Sequence, residues 1–165
     1  MKPRLVVGDI VEQDVDAIVN AANTHLAGGA GVCGAIFTAA GWDQMDEACR
    51  AVAPCPTGQA RSTPGFALPA RWVIHAAGPM WRDGSEGEEG LLRAAYRSAL
   101  TEAVALGARS IAFPVLSTGV YGYPLEPGCR VAWEELSHPP ASITEVRLVA
   151  FDDATAEQLR ALAPG

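Results

Sequence analysis

Val19-Asn20-Ala21-Ala22-Asn23-Thr24-His25-Leu26-Ala27-Gly28-Gly29-Ala30-Gly31-Val32-Cys33-Gly34, residues 19–34, carries a strand-like run into a helical one through a glycine-rich loop. Ala17 to Val19 reads as a strand, and Val32 to Ala40 as a helix entered through Gly28-Gly29-Ala30-Gly31. At such a junction the backbone N–H groups and the positive end of the helix dipole face the loop, an arrangement that receives phosphate. Glycines allow the main chain to approach an anion closely and to adopt positive φ.

Strands and helices alternate on both sides of this junction. Arg4 to Gly8 reads as a strand before it. After it come helical character at Asp43 to Val52, a buried strand at Trp72 to His75, and apolar residues at helical spacing from Glu88 to Leu106, stopped by Gly107. The remainder predicts a strand at Ser110 to Pro114, a helix at about Gly128 to Leu136, a strand at Val146 to Phe151 and a terminal helix at Ala154 to Leu162. Pro54 to Pro69, and the polar stretch after Trp81 with Gly84, Gly87 and Gly90, read as loops. This order predicts an α/β fold with helices covering a mostly parallel sheet. With 165 residues and 49% apolar content, and no loop long enough to be a linker, residues 1–165 are expected to form a single domain.

A second glycine-rich loop, Ser117-Thr118-Gly119-Val120-Tyr121-Gly122, also follows a strand and precedes a helix. Two such loops can wrap a diphosphate without lysine. That matters because the net charge is −7 and Lys2 is the only lysine among 12 basic residues. A nucleic-acid surface draws on clustered Lys and Arg, so nucleic acid is not an expected partner. The apolar runs are too short to span a membrane, and Met1-Lys2-Pro3-Arg4 passes directly into the first strand without a secretory segment. A cytoplasmic monomer with no membrane association is the expectation. Cys33, Cys49, Cys55 and Cys129 form no Cys-x-x-Cys pair, and His25, His75 and His138 do not fall at zinc spacing. Reduced thiols and no metal are expected.

Gly29-Ala30-Gly31-Val32-Cys33-Gly34 also matches the G-x-G-x-x-G dinucleotide fingerprint. A nicotinamide-binding unit, however, places these glycines directly after the first strand, with an acidic residue about 20 positions later. Here Asn20 to Ala27 intervenes, and the acidic position falls in Ala53-Pro54-Cys55-Pro56.

The combination of segments is more specific than either loop. Gly8-Asp9-Ile10, Val19-Asn20-Ala21-Ala22-Asn23, Gly29-Ala30-Gly31-Val32, His75-Ala76-Ala77-Gly78-Pro79 and Phe113-Pro114 through Ser117-Thr118-Gly119-Val120-Tyr121-Gly122-Tyr123-Pro124 follow one another as in a macrodomain. Thr57-Gly58-Gln59-Ala60 and Leu68-Pro69-Ala70 make the chain resemble the MacroD-like branch most, and the resemblance runs from about Val7 to Phe151. It implies a three-layer α/β/α sandwich with a mixed, mostly parallel sheet. It also implies binding of ADP-ribose and removal of mono-ADP-ribose from acidic side chains of modified proteins. Deacetylation of O-acetyl-ADP-ribose at the same site is a further implied activity, and a non-catalytic ADP-ribose reader is the alternative. No separate cofactor is implied.

On this resemblance Asp9 accepts the adenine amino hydrogen, Ile10 supplies a neighbouring backbone contact, and Phe151 covers the adenine face. Asn23 contacts the distal ribose, since an amide offers both donor and acceptor to a diol, while Asn20 fixes the loop. Gly29, Ala30, Gly31 and Val32, with Ser117, Thr118, Gly119, Val120 and Tyr121, cradle the diphosphate and lean on the distal ribose. His75, at the end of an apolar strand, is read as a hydrogen-bonded core residue.

One motif departs from the resemblance. MacroD-like hydrolases continue the first loop with Val-Asp-Gly-Ala-Ile-His, whereas this chain reads Val32-Cys33-Gly34-Ala35-Ile36-Phe37. The aspartate thought to help activate water is absent. Related viral macrodomains also carry small non-acidic residues there and include active hydrolases, so the expected activity stands, with Asn23, Cys33 and Tyr121 as the candidate catalytic residues. A helix start favours a thiolate, which makes Cys33 a candidate nucleophile or base; the preferred reading is a small residue packed beside the ribose. A lysine-dependent route is not expected, because Lys2 precedes the first strand.

Overall fold

The computed structural model describes residues 1–163. Six strands form one sheet: β1 (Arg4–Val7), β2 (Ala17–Ala22), β3 (Ala60–Pro64), β4 (Trp72–Ala77), β5 (Ser110–Phe113) and β6 (Glu145–Ala150), in the order β1-β6-β5-β2-β4-β3. All neighbours are parallel except β3, which pairs antiparallel with β4 at one edge. The helices are α1 (Gly31–Ala40), α2 (Trp42–Val52), α3 (Glu88–Ala105), α4 (Leu125–Leu136) and α5 (Asp153–Leu162). A 3-10 turn at Ile10–Glu12 follows β1.

Side chains alternate across each strand, so one strand feeds two cores. Ala17 and Val19 of β2, Ile74 of β4, Ile111 and Phe113 of β5 and Leu148 of β6 point into one core with α3, α4 and α5. Ile18, Val73, Ala112 and Val149 point into the other, against Ile36 and Phe37 of α1 and Met45 and Cys49 of α2. The result is the three-layer α/β/α sandwich. Complete burial of a side chain the size of Phe113 or Phe37 contributes roughly 1.5–3 kcal/mol.

β3 lies inside the stretch Pro54 to Pro69 that reads as a loop from sequence. Its residues, Ala-Arg-Ser-Thr-Pro, show no apolar alternation, and the strand exists because β4 offers an unpaired edge. Pro64 closes it at an edge position, where a missing N–H is tolerated. α4 begins at Leu125, three residues ahead of Gly128, because Pro124 and Pro127 both suit a helix's first turn.

The order of crossovers positions the site. From β2 the chain moves outward through α1 and α2 to β3 and β4, then α3 returns it past β2 to β5. β2 and β5 are therefore neighbours whose following segments go to opposite faces. In open α/β sheets a crevice opens at such a switch point, beyond the carboxyl ends of the strands.

The segment after β5 is anchored from below by Tyr96, fully buried in α3, whose hydroxyl accepts a hydrogen bond from the Leu116 N–H at 2.9 Å. Tyr96→Phe leaves that N–H buried without a partner, and we expect a loss of about 1–3 kcal/mol in urea unfolding. An unchanged midpoint would mean that water replaces the hydroxyl.

Candidate functional site

Five segments emerge at the carboxyl edge of the sheet. β1 ends in Gly8-Asp9, and the Gly8 N–H donates to the Ala150 carbonyl at 2.9 Å, so Asp9 and Phe151 leave adjacent strands side by side. Asp9 caps the Ile10–Glu12 turn through one carboxylate oxygen, which accepts from the Val11 N–H at 3.1 Å. Its carbonyl accepts from Gln13 Nε2 at 3.0 Å, and Gln13 Oε1 accepts from Arg147 at 3.0 Å. The turn is thus fixed to β6 while the exposed carboxylate keeps an oxygen for a ligand donor. Ile10 is buried beneath, whereas Phe151 is 74% exposed. A phenyl ring so placed is not a core residue; it offers a bare π-face.

The loop after β2 is stapled by Asn23. Its Oδ1 accepts from the His25 and Ala27 N–H groups at 3.0 and 3.1 Å, and its Nδ2 donates to the Ala27 carbonyl at 3.0 Å. One amide hydrogen is left for a ligand. Asn20, by contrast, lies in the core, its Nδ2 facing Cys33 Sγ at 3.6 Å and His75 Nδ1 at 3.0 Å. Asn23 therefore combines the loop-fixing role expected of Asn20 with a position at the crevice.

Cys33 is almost fully buried in the first turn of α1, accepting from Asn20 and directing its thiol hydrogen to the Ala27 carbonyl at 3.6 Å. Behind it runs a buried polar chain. With Asn20 donating to Nδ1, His75 carries its proton on Nε2 and donates to Thr63 Oγ1 at 3.0 Å, and Thr63 donates to Met45 Sδ at 3.3 Å. Burial pushes His75 down to about 4 and the adjacent Cys49 thiol up to about 12, so both are neutral near pH 7. Two further aromatics support the loop: a side chain at Gly28 would collide with the Trp42 ring, which packs edge-on against Phe37 at 5.1 Å.

The first turn of α1 is open to an acceptor. Ala30 provides no side-chain cap and the turn contains no acid, so the N–H groups of Gly31, Val32 and Cys33 have no intrahelical acceptor. Facing it, the loop after β5 is closed by Tyr123 N–H to the Ser117 carbonyl at 2.9 Å and Gly122 N–H to the Gly119 carbonyl at 3.0 Å. Ser117 adopts φ +68°, and its buried Oγ fills the space a side chain at Gly78 would need. Thr118 donates to the Val115 carbonyl and packs its methyl on Gly128 of α4. Val120 projects outward, 91% exposed. Tyr121 is half-buried, and burial, followed by the charge of Cys33, raises its phenol above the usual range.

The glycines themselves separate turn-making from ligand approach. A side chain at Gly29 or Gly119 would meet nothing of the protein within 4 Å, and neither residue has a positive φ. Nothing internal requires glycine there, which leaves room for an external group. Trp42 and Gln13 support the site yet carry no motif in the sequence; only the packing shows their roles. Among the described residues no three His, Cys, Asp or Glu side chains gather to hold a metal ion, and no helix is long and apolar enough to cross a membrane.

The Macro domain family model matches residues 19–132. A macro domain-containing protein of Ralstonia nicotianae is 47% identical over 151 residues, covering 92% of this chain and 88% of its own. One of Mesorhizobium japonicum is 47% identical over 164 residues, covering 97% and 93%. Among solved structures, an Oceanobacillus iheyensis macrodomain mutant with ADPR superposes with a TM-score of 0.88 at 37% identity, covering 95% of this chain and 89% of that one. A Trypanosoma brucei macrodomain in complex with ADP-ribose gives 0.86 at 38% identity, covering 96% and 68%.

His75 provides a test of the buried chain. Its folded value, about 4, lies below the ordinary 6.5, so between those values the unfolded chain binds the extra proton and stability falls as pH is lowered. The full loss is of the order of 3 kcal/mol. Urea midpoints measured from pH 7 to pH 4 should show this decline, and His75→Gln should flatten it. An equally steep decline in the variant would place the titrating group elsewhere.

Proposed function

This chain belongs to the macro domain family, and from that membership we propose that it binds ADP-ribose in the crevice between β2 and β5 and hydrolyses mono-ADP-ribose from acidic side chains of modified proteins. The observation carrying the reading is that Gly29 and Gly119, one in each glycine-rich loop, are open on the side where a side chain would stand, and that the start of α1 just after Gly29 is uncapped. Backbone amides there can hold a diphosphate while the chain as a whole remains acidic. Adenine then lies on Phe151 with its amino group toward Asp9, and the distal ribose reaches Asn23 and Tyr121. The relatives crystallised with ADP-ribose support the same ligand.

In this reading the loops bend the diphosphate so that one of its oxygens orients a water beside the anomeric carbon. The water oxygen bonds to that carbon, the ester C–O bond breaks, and the target carboxylate leaves with its electron pair while the diphosphate oxygen accepts a proton. Positioning and preorganised amides supply the rate enhancement. Cys33, with its hydrogen directed to Ala27, acts as a small packing residue. Lys2 stands before β1, at the opposite end of the strand from the crevice, so no lysine attacks the sugar. The proposal extends to a cytoplasmic monomer acting on ADP-ribosylated proteins, with O-acetyl-ADP-ribose as a further substrate. A non-catalytic reader is the second reading, favoured by cysteine at the position where the resemblance expects a carboxylate.

Titration calorimetry should give micromolar affinity for ADP-ribose, about −8 kcal/mol, with NAD much weaker because nicotinamide crowds the distal-ribose end. Asp9→Ala should weaken ADP-ribose by about 1–3 kcal/mol with the fold intact. Equal affinity for the two ligands would instead favour a dinucleotide site.

Incubation with a Glu-modified protein should release ADP-ribose, and Cys33→Ala should keep most of that turnover. Asn23→Ala should reduce turnover more than affinity, since a contact that strengthens in the transition state appears in the rate. Tight binding without release would establish the reader, and an inactive but folded and binding Cys33→Ala would make the thiol catalytic.

A further inference from the structure

Between β4 and α3, the polar stretch from Trp81 to Gly87 belongs to no helix or strand and takes no part in the chemistry above. It is wrapped around a single carboxylate. Glu88, the first residue of α3, is 1% exposed, and its Oε2 accepts from the N–H groups of Arg82, Asp83 and Gly84 at 3.1, 3.3 and 2.9 Å. Its Oε1 accepts from the Glu86 N–H at 2.7 Å. Consecutive amides converging on an anion form a nest, and charge-assisted bonds of this kind are the strong ones. Burial by itself would raise this carboxyl; the amides of Gly84, Arg82 and Glu86 outweigh it and bring it down to about 2.

The wrapped segment leads to the second glycine-rich loop. The Trp81 N–H donates to the Tyr121 carbonyl at 2.8 Å, and its ring meets Tyr123 edge-on at 4.9 Å. A side chain at Gly84 would press on the Trp81 ring at 2.8 Å, so the nest backs the indole directly. Tyr123 in turn closes the loop through Ser117.

We propose that Glu88 is a positioning residue for the diphosphate-sugar site: by gathering the 82–86 backbone it holds Trp81 against Tyr121 and Tyr123, and so sets the shape of the Ser117–Tyr123 loop. The inference rests on the ADP-ribose reading for its ligand, though not for its mechanics. Glu88→Gln replaces one oxygen by an NH2 group that faces backbone donors, which opens the nest without changing side-chain size.

The test has two arms. In ligand-free protein, amide exchange of Trp81, Gly122 and Tyr123 should accelerate at least about tenfold in Glu88→Gln while β5 and β6 amides keep their protection, as local opening requires. By calorimetry on the folded protein, ADP-ribose affinity should fall by about tenfold with the stoichiometry retained. Gly84→Ala, which keeps the carboxylate but strains the nest backbone at φ +87° and presses on the same indole, should reproduce both effects. A lower melting temperature with unchanged loop exchange and unchanged affinity would reduce Glu88 to a helix-end stabiliser and overturn the proposal. If the wild type binds no ADP-ribose, the functional reading fails, and the exchange arm still decides whether Glu88 controls the loop.

Discussion

Because β2 and β5 lie side by side and parallel, their carboxyl ends open at one edge while the helices that follow must pack on opposite faces of the sheet. That constraint sets a crevice at the switch point and brings both glycine-rich loops out at the same edge of the sheet. It also places the uncapped start of α1 on one wall and the Ser117–Tyr123 turn on the other. The same switch point would open between any two strands so connected; the residues at their ends make it chemically specific.

An acidic macro domain that holds a diphosphate must do so without a field of positive side chains. In the proposed reading backbone N–H groups replace them: they carry partial charge, cost nothing in net charge, and are already oriented by a helix and a closed turn. The arrangement depends on rigidity, since amides that move lose their alignment. Both loops are accordingly held from behind, the first by Asn23, Cys33 and the Trp42–Phe37 pair, the second by Tyr96, Gly78 and Trp81.

The chain from Met45 through Thr63, His75 and Asn20 to Cys33 joins α2, β3, β4, β2 and α1 by neutral hydrogen bonds. Burial keeps the imidazole uncharged, so the chain orients groups and carries no formal charge toward the ligand. Phe37 packs against His75 and Trp42 and adds apolar support beside this chain.

The sequence alone determined the order of the helices and of every strand but β3, because apolar periodicity, glycine stops and strand–loop–helix junctions are local properties of the chain. It also placed both glycine-rich loops after strands and before helices, and marked Asp9, Asn23, Tyr121 and Phe151 as candidates through the motifs they sit in. Only the tertiary structure decided that Ala60–Pro64 is a strand, because its partners lie across the sheet edge on β4, in the register Ala60 to Ala76 through Pro64 to Trp72. The division of work between Asn20 and Asn23, and the commitment of Cys33's hydrogen to Ala27, were likewise settled by who lies within bonding distance. Gly29 and Gly119 read the same as Gly28 in sequence; that the first two face open space and the third a tryptophan ring is a matter of packing, which no local pattern encodes.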